Sequence, residues 1–147
     1  MKTFRKILAM TVLLLITGAA LAADKEIKFN ELPKKAQTFI KNNFDQNKVI
    51  RVSMDTEYII LKEYTVFFND GTQIEFDSDG KWEEVKRKLK AVPSAIIPTK
   101  IIAYIKRSFP ETFVQKIEQT RAKFDVEISN GLDLEFGSDG EFIRIDD

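Results

Sequence analysis

The sequence predicts an α+β fold: two tandem helix-plus-four-strand repeats building one antiparallel, eight-stranded sheet with both helices on one face. Three observations predict it. The stretch Asn69-Asp70-Gly71-Thr72-Gln73-Ile74-Glu75-Phe76-Asp77-Ser78-Asp79-Gly80-Lys81-Trp82 returns sixty residues later, from Asn130 to Phe142. Inside each copy, apolar and polar residues alternate with period two between turn residues, as in strands buried on one face. Ahead of each copy lies a segment whose apolar residues repeat at helical spacing.

The chain opens on a targeting segment. Lys2, Arg5 and Lys6 form a basic start, Ile7 to Ile16 is largely apolar, and Ala20-Leu21-Ala22 supplies small residues for cleavage. Residues 1–22 are therefore expected to be a cleaved signal peptide, with 23–147 a single domain of two repeats, about 29–88 and 92–147. The apolar run is short for a membrane span of about 20 residues, so no stable membrane insertion is expected after cleavage. Localisation should be periplasmic or secreted. Cleavage removes three of 23 basic residues and none of 23 acidic ones, leaving a net charge of −3 that disfavours nucleic acid. An exported chain without cysteine must hold its fold by packing alone, and eleven phenylalanines follow the leader to supply it.

Each repeat starts with a helix. Pro33 and Pro98 suit a helix start. Ala36, Phe39, Ile40 and Phe44 form one apolar stripe, matched in the second copy by Ile101, Ile102, Ile105 and Phe109. The helix segments repeat at an offset of 65 and the hairpins at 60, so the first copy carries five extra residues near Asp55–Glu63. Strands are expected near Lys48–Asp55, Tyr58–Phe68, Thr72–Asp77 and Lys81–Arg87, then Phe113–Gln119, Lys123–Ser129, Leu132–Phe136 and Phe142–Asp146. Asp70-Gly71 and Asn130-Gly131 read as two-residue type I′ turns.

Several motifs read better as structure than as chemistry. With no His and no Cys, Ser-His-Asp and Cys-His catalysis and ordinary zinc sites are excluded. Ser78-Asp79-Gly80-Lys81 matches a Ser-x-x-Lys pattern, but it falls in a turn and the companion motifs are missing. Asp77-x-Asp79-Gly80 has the flavour of a calcium loop, yet the required glycine and twelfth-position glutamate are absent. Lys86-Arg87-Lys88-Leu89-Lys90 reads as a solvated connector. No catalysis, metal or cofactor is expected.

Leu32-Pro33, Phe39-Ile40-Lys41 and the run Asp70-Gly71-Thr72-x-Ile74-x-Phe76-Asp77-x-x-Gly80-x-Trp82 resemble the PepSY-like family of exported bacterial proteins. Ile97-Pro98, Tyr104-Ile105-Lys106 and Asn130 to Phe136 match it again, so the resemblance spans about Glu31 to Asp147. It implies tandem helix-plus-four-strand units of β-lactamase-inhibitor-like shape in Gram-negative envelopes, and it brings no catalytic residues.

The residues themselves suggest what the open sheet face displays. Glu75 and Glu135 should point away from the helices. Parity places Trp82, Phe142 and Phe67 there too, with Ile143 and Ile145 inward. These five outward residues are the candidate partner-binding set, aromatic rings among carboxylates facing a protein or peptide of the envelope. The expected function is an interaction or inhibitor-like module, not an enzyme; the alternative is small-ligand or ion binding in a groove between the repeats.

Overall fold

The computed structural model describes residues 24–57 and 61–146. The expected leader, and residues 58–60 of the expected second strand, lie outside them. Nine strands neighbour one another in sequence order, a single antiparallel meander. They are β1 (Lys25–Ile27), β2 (Val49–Glu57), β3 (Leu61–Phe68), β4 (Gln73–Phe76) and β5 (Trp82–Lys86), then β6 (Val114–Gln119), β7 (Lys123–Ile128), β8 (Asp133–Gly137) and β9 (Phe142–Asp146). Helix α1 (Lys34–Asn43) precedes β2, and α2 (Thr99–Ser108) precedes β6. The sequence predicts eight strands; the ninth is β1, three residues that are too few to show a period. It pairs with Val52 to Met54 and covers the outer edge of β2.

Repeats join where β5 pairs with β6, in register Val85 to Ile117. Both of those side chains are fully buried, so the sheet crosses the junction without a break in the core. Gln119 reinforces the join, its side-chain amide donating to the Trp82 carbonyl at 2.6 Å.

The hairpin loops differ from the type I′ expectation. Gly71 N–H donates to the Phe68 carbonyl, and Phe68 N–H donates to Thr72. Gly71 has φ +82°, while Asp70 is not among the residues with positive φ. This is a three-residue loop, a type I turn followed by a left-handed glycine. Gly80, Gly131 and Gly140 close the other hairpins of the two copies in the same way.

Two of these glycines also seat the helices. A Cβ on Gly80 would lie 2.7 Å from Pro33 Cβ and 2.9 Å from the Ala36 nitrogen. The β4–β5 turn therefore packs directly under the first turn of α1, and Gly140 lies beneath Lys100 and Ile101 of α2 in the same manner. Each helix runs ten residues and ends where Phe44 or Phe109 donates back to Ile40 or Ile105. Buried Ala36, Ile40, Ile101 and Ile105 meet Val66, Ile74, Phe76, Val126, Leu134 and Phe136 in one core.

A bulge repeats in each copy and sets which rings join that core. Glu75 pairs with Glu84 but Phe76 pairs with Trp82, leaving Glu83 as the extra residue. In the second copy Glu135 pairs with Arg144 and Phe136 with Phe142, leaving Ile143 extra. One inserted residue moves everything beyond it to the other face. Trp82 and Phe142 are thus turned to the helix side, a correction to the outward parity read from the sequence. Phe39 of α1 meets Phe76 edge-on at 5.7 Å and stacks on Trp82 at 6.1 Å. Tyr104 of α2 meets Phe136 edge-on at 5.5 Å and stacks on Phe142 at 4.3 Å. The bulge turns Ile143 outward, at 53 % exposed, against the inward expectation. Ile145 lies opposite buried Leu134, yet on the edge strand it keeps 43 % exposure where its counterpart Val85 has none.

Two outcomes are expected. Gly131 has open space around it, so Gly131→Ala should cost about 1 kcal/mol of backbone strain. Gly80→Ala should cost about 1–3 kcal/mol more, because its methyl also meets α1; equal urea midpoints would contradict the docking. Truncating either ring of the helix clamp, Trp82→Ala or Phe142→Ala, should cost about 3 kcal/mol by the same measurement. A loss below about 0.5 kcal/mol, the surface scale, would return these rings to the open face.

Candidate functional site

The face away from the helices is uncovered, and antiparallel sheets allow one solvated face. Its side chains form two rows across the strands. One row runs Thr65, Glu75, Glu84, Glu118, Asp125, Glu135 and Arg144, each opposite the next. Five consecutive strands therefore contribute a carboxylate to a single line, with strands about 4.8 Å apart. The second row runs Arg51, Phe67, Gln73, Lys86, Lys116 and Glu127.

Cations neutralise the line unevenly. In the second copy, Lys123 reaches Asp125 and Glu135 at 3.1 Å each, and Arg144 reaches Glu135 at 3.0 Å. Burial alone would raise the pKa of Glu135, which is 8 % exposed, but hydrogen bonds from Lys123 and Arg144 outweigh it and hold the carboxyl below its ordinary value. In the first copy Glu63 stands where Lys123 does, and Glu84 where Arg144 does. Glu75 therefore has acidic neighbours in both places. Among the described residues its polar contact is the Gln73 amide at 3.1 Å, with no cation in reach. Its pKa is raised, first by burial and then by Glu84, with Glu63 and Glu118 adding. Lys116 bridges the junction, 3.0 Å from Glu84 and 3.8 Å from Glu118. Burial acts to lower its pKa, but Glu84 outweighs that and the net direction is up.

Of the five candidate residues, the structure places Phe67, Glu75 and Glu135 on the open face. Phe67 lies under the Arg51 guanidinium, 4.5 Å from the ring centre. Trp82 and Phe142 are on the other side, within the helix clamp. Sequence reasoning missed Glu84, Glu118, Asp125 and Lys116. Aligning the copies at offset 60 exposes the exchange of Glu63 for Lys123 and of Glu84 for Arg144, which was the available signal.

The calcium-like turn is a turn. Asp77 Oδ1 accepts from the Asp79 and Lys81 amides at 3.0 and 2.9 Å, so this oxygen is used locally. Among the described residues no group of three or more carboxylates is arranged to hold a metal ion. No helix among them is long and apolar enough to cross a membrane.

Sign-opposed behaviour is expected at the two matched carboxylates. Glu75 has a folded pKa above its unfolded one, so its ionisation opposes folding as pH rises through that interval and fully above it. Glu75→Gln should stabilise at pH 7 by up to about 1 kcal/mol, the scale of opposed like charges, and the gain should vanish in acid. Glu135 has the lowered pKa, and its contribution is present above the unfolded value and lost as pH falls through the folded one. Glu135→Gln should cost about 1–2 kcal/mol at pH 7, the scale of a charged hydrogen bond. Urea melts at neutral and acid pH check both, and effects of the same sign at pH 7 would contradict the assignment.

A family model described as "Putative beta-lactamase-inhibitor-like, PepSY-like" matches residues 20–60 and 62–144. No curated protein matches the chain. Among solved structures, one from Bacteroides vulgatus is described as a "putative periplasmic protein from DUF2874 family". It is 39 % identical, covers 87 % of this chain and 100 % of its own, and superposes with a TM-score of 0.80. A second, from Bacteroides thetaiotaomicron, is described as a "putative calcium-regulated periplasmic protein". It is 39 % identical over 84 % of this chain and 97 % of its own, with a TM-score of 0.80. A further Bacteroides vulgatus periplasmic structure is 32 % identical over 85 % of this chain and 100 % of its own, with a TM-score of 0.79.

Proposed function

Because the chain belongs to the PepSY-like family and is periplasmic, we propose that it is a non-catalytic interaction module whose open sheet face docks a basic segment of an envelope protein or peptide. The observation that carries this reading is Glu75 within the carboxylate line: among the described residues no cation reaches it, while its neighbour Glu84 has Lys116 on its far side. Like charges set opposite one another weaken a sheet. A partner's lysine or arginine laid along Glu63, Glu75 and Glu84 would relieve that opposition. Binding and the local gain in stability would then share one source. Phe67 and its covering Arg51 border the line on the same face and offer an apolar contact. Glu135 sits at the neutralised end and orients the surface without contributing free charge. The rings of Trp82 and Phe142 hold the platform from behind. An inhibitor-like role is the family-level form of this activity, since blocking a partner needs a rigid surface and no chemistry of its own.

The test uses chemical cross-linking in an envelope fraction, comparing the wild-type protein with Glu75→Gln/Glu84→Gln. The double variant should keep its fold and lose about tenfold or more of captured partner. Wild-type capture should fall as salt rises, because the contacts are between charges at the surface of the sheet. Capture unchanged by both the variant and salt would remove the carboxylate line as the docking site.

A further inference from the structure

The junction between the repeats leaves a groove of about 370 Å³ on the open face, walled by Gln73, Lys86, Lys88, Leu89, Gln115 and Glu127. It belongs to neither copy alone. The hairpin of the first repeat supplies Gln73, the connector supplies Lys88 and Leu89, and the second repeat supplies Gln115 and Glu127.

The basic run read from the sequence as a solvated connector divides in two. Arg87 and Lys90 both turn to Asp70, at 3.2 and 3.4 Å, and Arg87 also holds the Ala91 carbonyl. They fasten the connector to the first hairpin. Lys86 and Lys88 take no part in this, and among the described residues neither forms an ion pair. Lys86 stands between Gln73 and Lys116 in its row, and Lys116 is committed to Glu84 at 3.0 Å. Two uncommitted ammonium groups thus line one groove. On the same wall, Leu89 is 79 % exposed with φ +58°. A leucine in the left-handed region is strained, and at this exposure it recovers almost nothing by packing.

We propose that this groove binds a small organic monoanion, a carboxylate carrying a short apolar chain. The carboxylate lies between Lys86 and Lys88, the Gln115 amide and the Gln73 N–H not taken by Glu75 donate hydrogen bonds, and the chain lies on Leu89. Arg87 and Lys116 also line the groove but are committed to Asp70 and Glu84, so with Glu127 on the far wall the two uncommitted lysines leave one net positive charge, which favours a monoanion over a dicarboxylate or phosphate. An open groove of this size fits a weak, rapidly exchanging ligand. This site differs from the docking line in sign and in row, and meets it at Gln73, which donates to Glu75, and at Lys116, which pairs with Glu84.

The test is an amide NMR titration of the periplasmic protein with hexanoate, acetate and inorganic phosphate as probes. Hexanoate should saturate shifts at Gly71, Lys86 to Leu89 and Gln115 at millimolar concentration or below. Lys86→Gln/Lys88→Gln should weaken it by about tenfold with signal dispersion intact. Leu89→Gly should weaken hexanoate and leave acetate unchanged. No saturation below about 20 mM, or undiminished affinity in the double variant, would overturn the site. Phosphate binding as tightly as hexanoate would overturn the ligand class.

Discussion

Everything on the open face depends on a stack of rings behind it. Each helix has only ten residues, too few to be stable without tertiary packing. No disulfide is available to hold it to the sheet. What holds it is one aromatic residue, Phe39 or Tyr104, wedged against a ring from the third strand of its repeat (β4 or β8) and a ring from the last (β5 or β9). Strict alternation would put the last-strand ring in solvent. The bulge at Glu83 or Ile143 brings it back. The same inserted residue leaves the rest of the strand in its original phase, so Glu84 and Arg144 stay on the open face. Core and surface are set by one extra residue.

The repeats use this scaffold for different electrostatics. Glu135 lies within reach of Lys123 and Arg144, whereas Glu75 meets Glu63 and Glu84 at the corresponding positions. Packing does not require the difference, since the same ring clamp stands behind both carboxylates, Phe39 with Phe76 and Trp82 in one copy and Tyr104 with Phe136 and Phe142 in the other. Natural chains tolerate locally unfavourable charge mainly where a function uses it. Glu75, which no cation reaches among the described residues, is therefore the informative carboxylate.

Much of the fold was legible because the duplication states it twice. The turn glycines, the alternating strands and the apolar helix stripes are short-range patterns, and each was seen in two places. Strand β1 was not legible, because three residues beside a leader carry no period. Trp82 and Phe142 were misplaced because a bulge leaves no mark in the alternation of a five-residue strand. The turn type was misread for a related reason: Asp-Gly fits both a type I′ turn and a type I turn closed by a left-handed glycine, and only the hydrogen bond from Gly71 to Phe68 decides. The carboxylate line was invisible for want of register. Its members are far apart in sequence, and only the pairing of β5 with β6 puts Glu84 beside Glu118.

That pairing is also where duplication adds something that neither copy has. In the second repeat, the strand equivalent to β5 is an edge, and Ile145 stays partly exposed. In the first, β6 covers the edge and Val85 is sealed. Joining the copies therefore completes the core, extends one row of carboxylates across the seam and opens a cationic groove beside it. A lone repeat would contain Glu75 and Glu84 but lack Glu118 and the Lys116 bridge. It would contain Lys86 but lack the far wall of the groove. Both proposed sites draw on residues at or beside the seam, and the continuous sheet is what keeps the two rows in register.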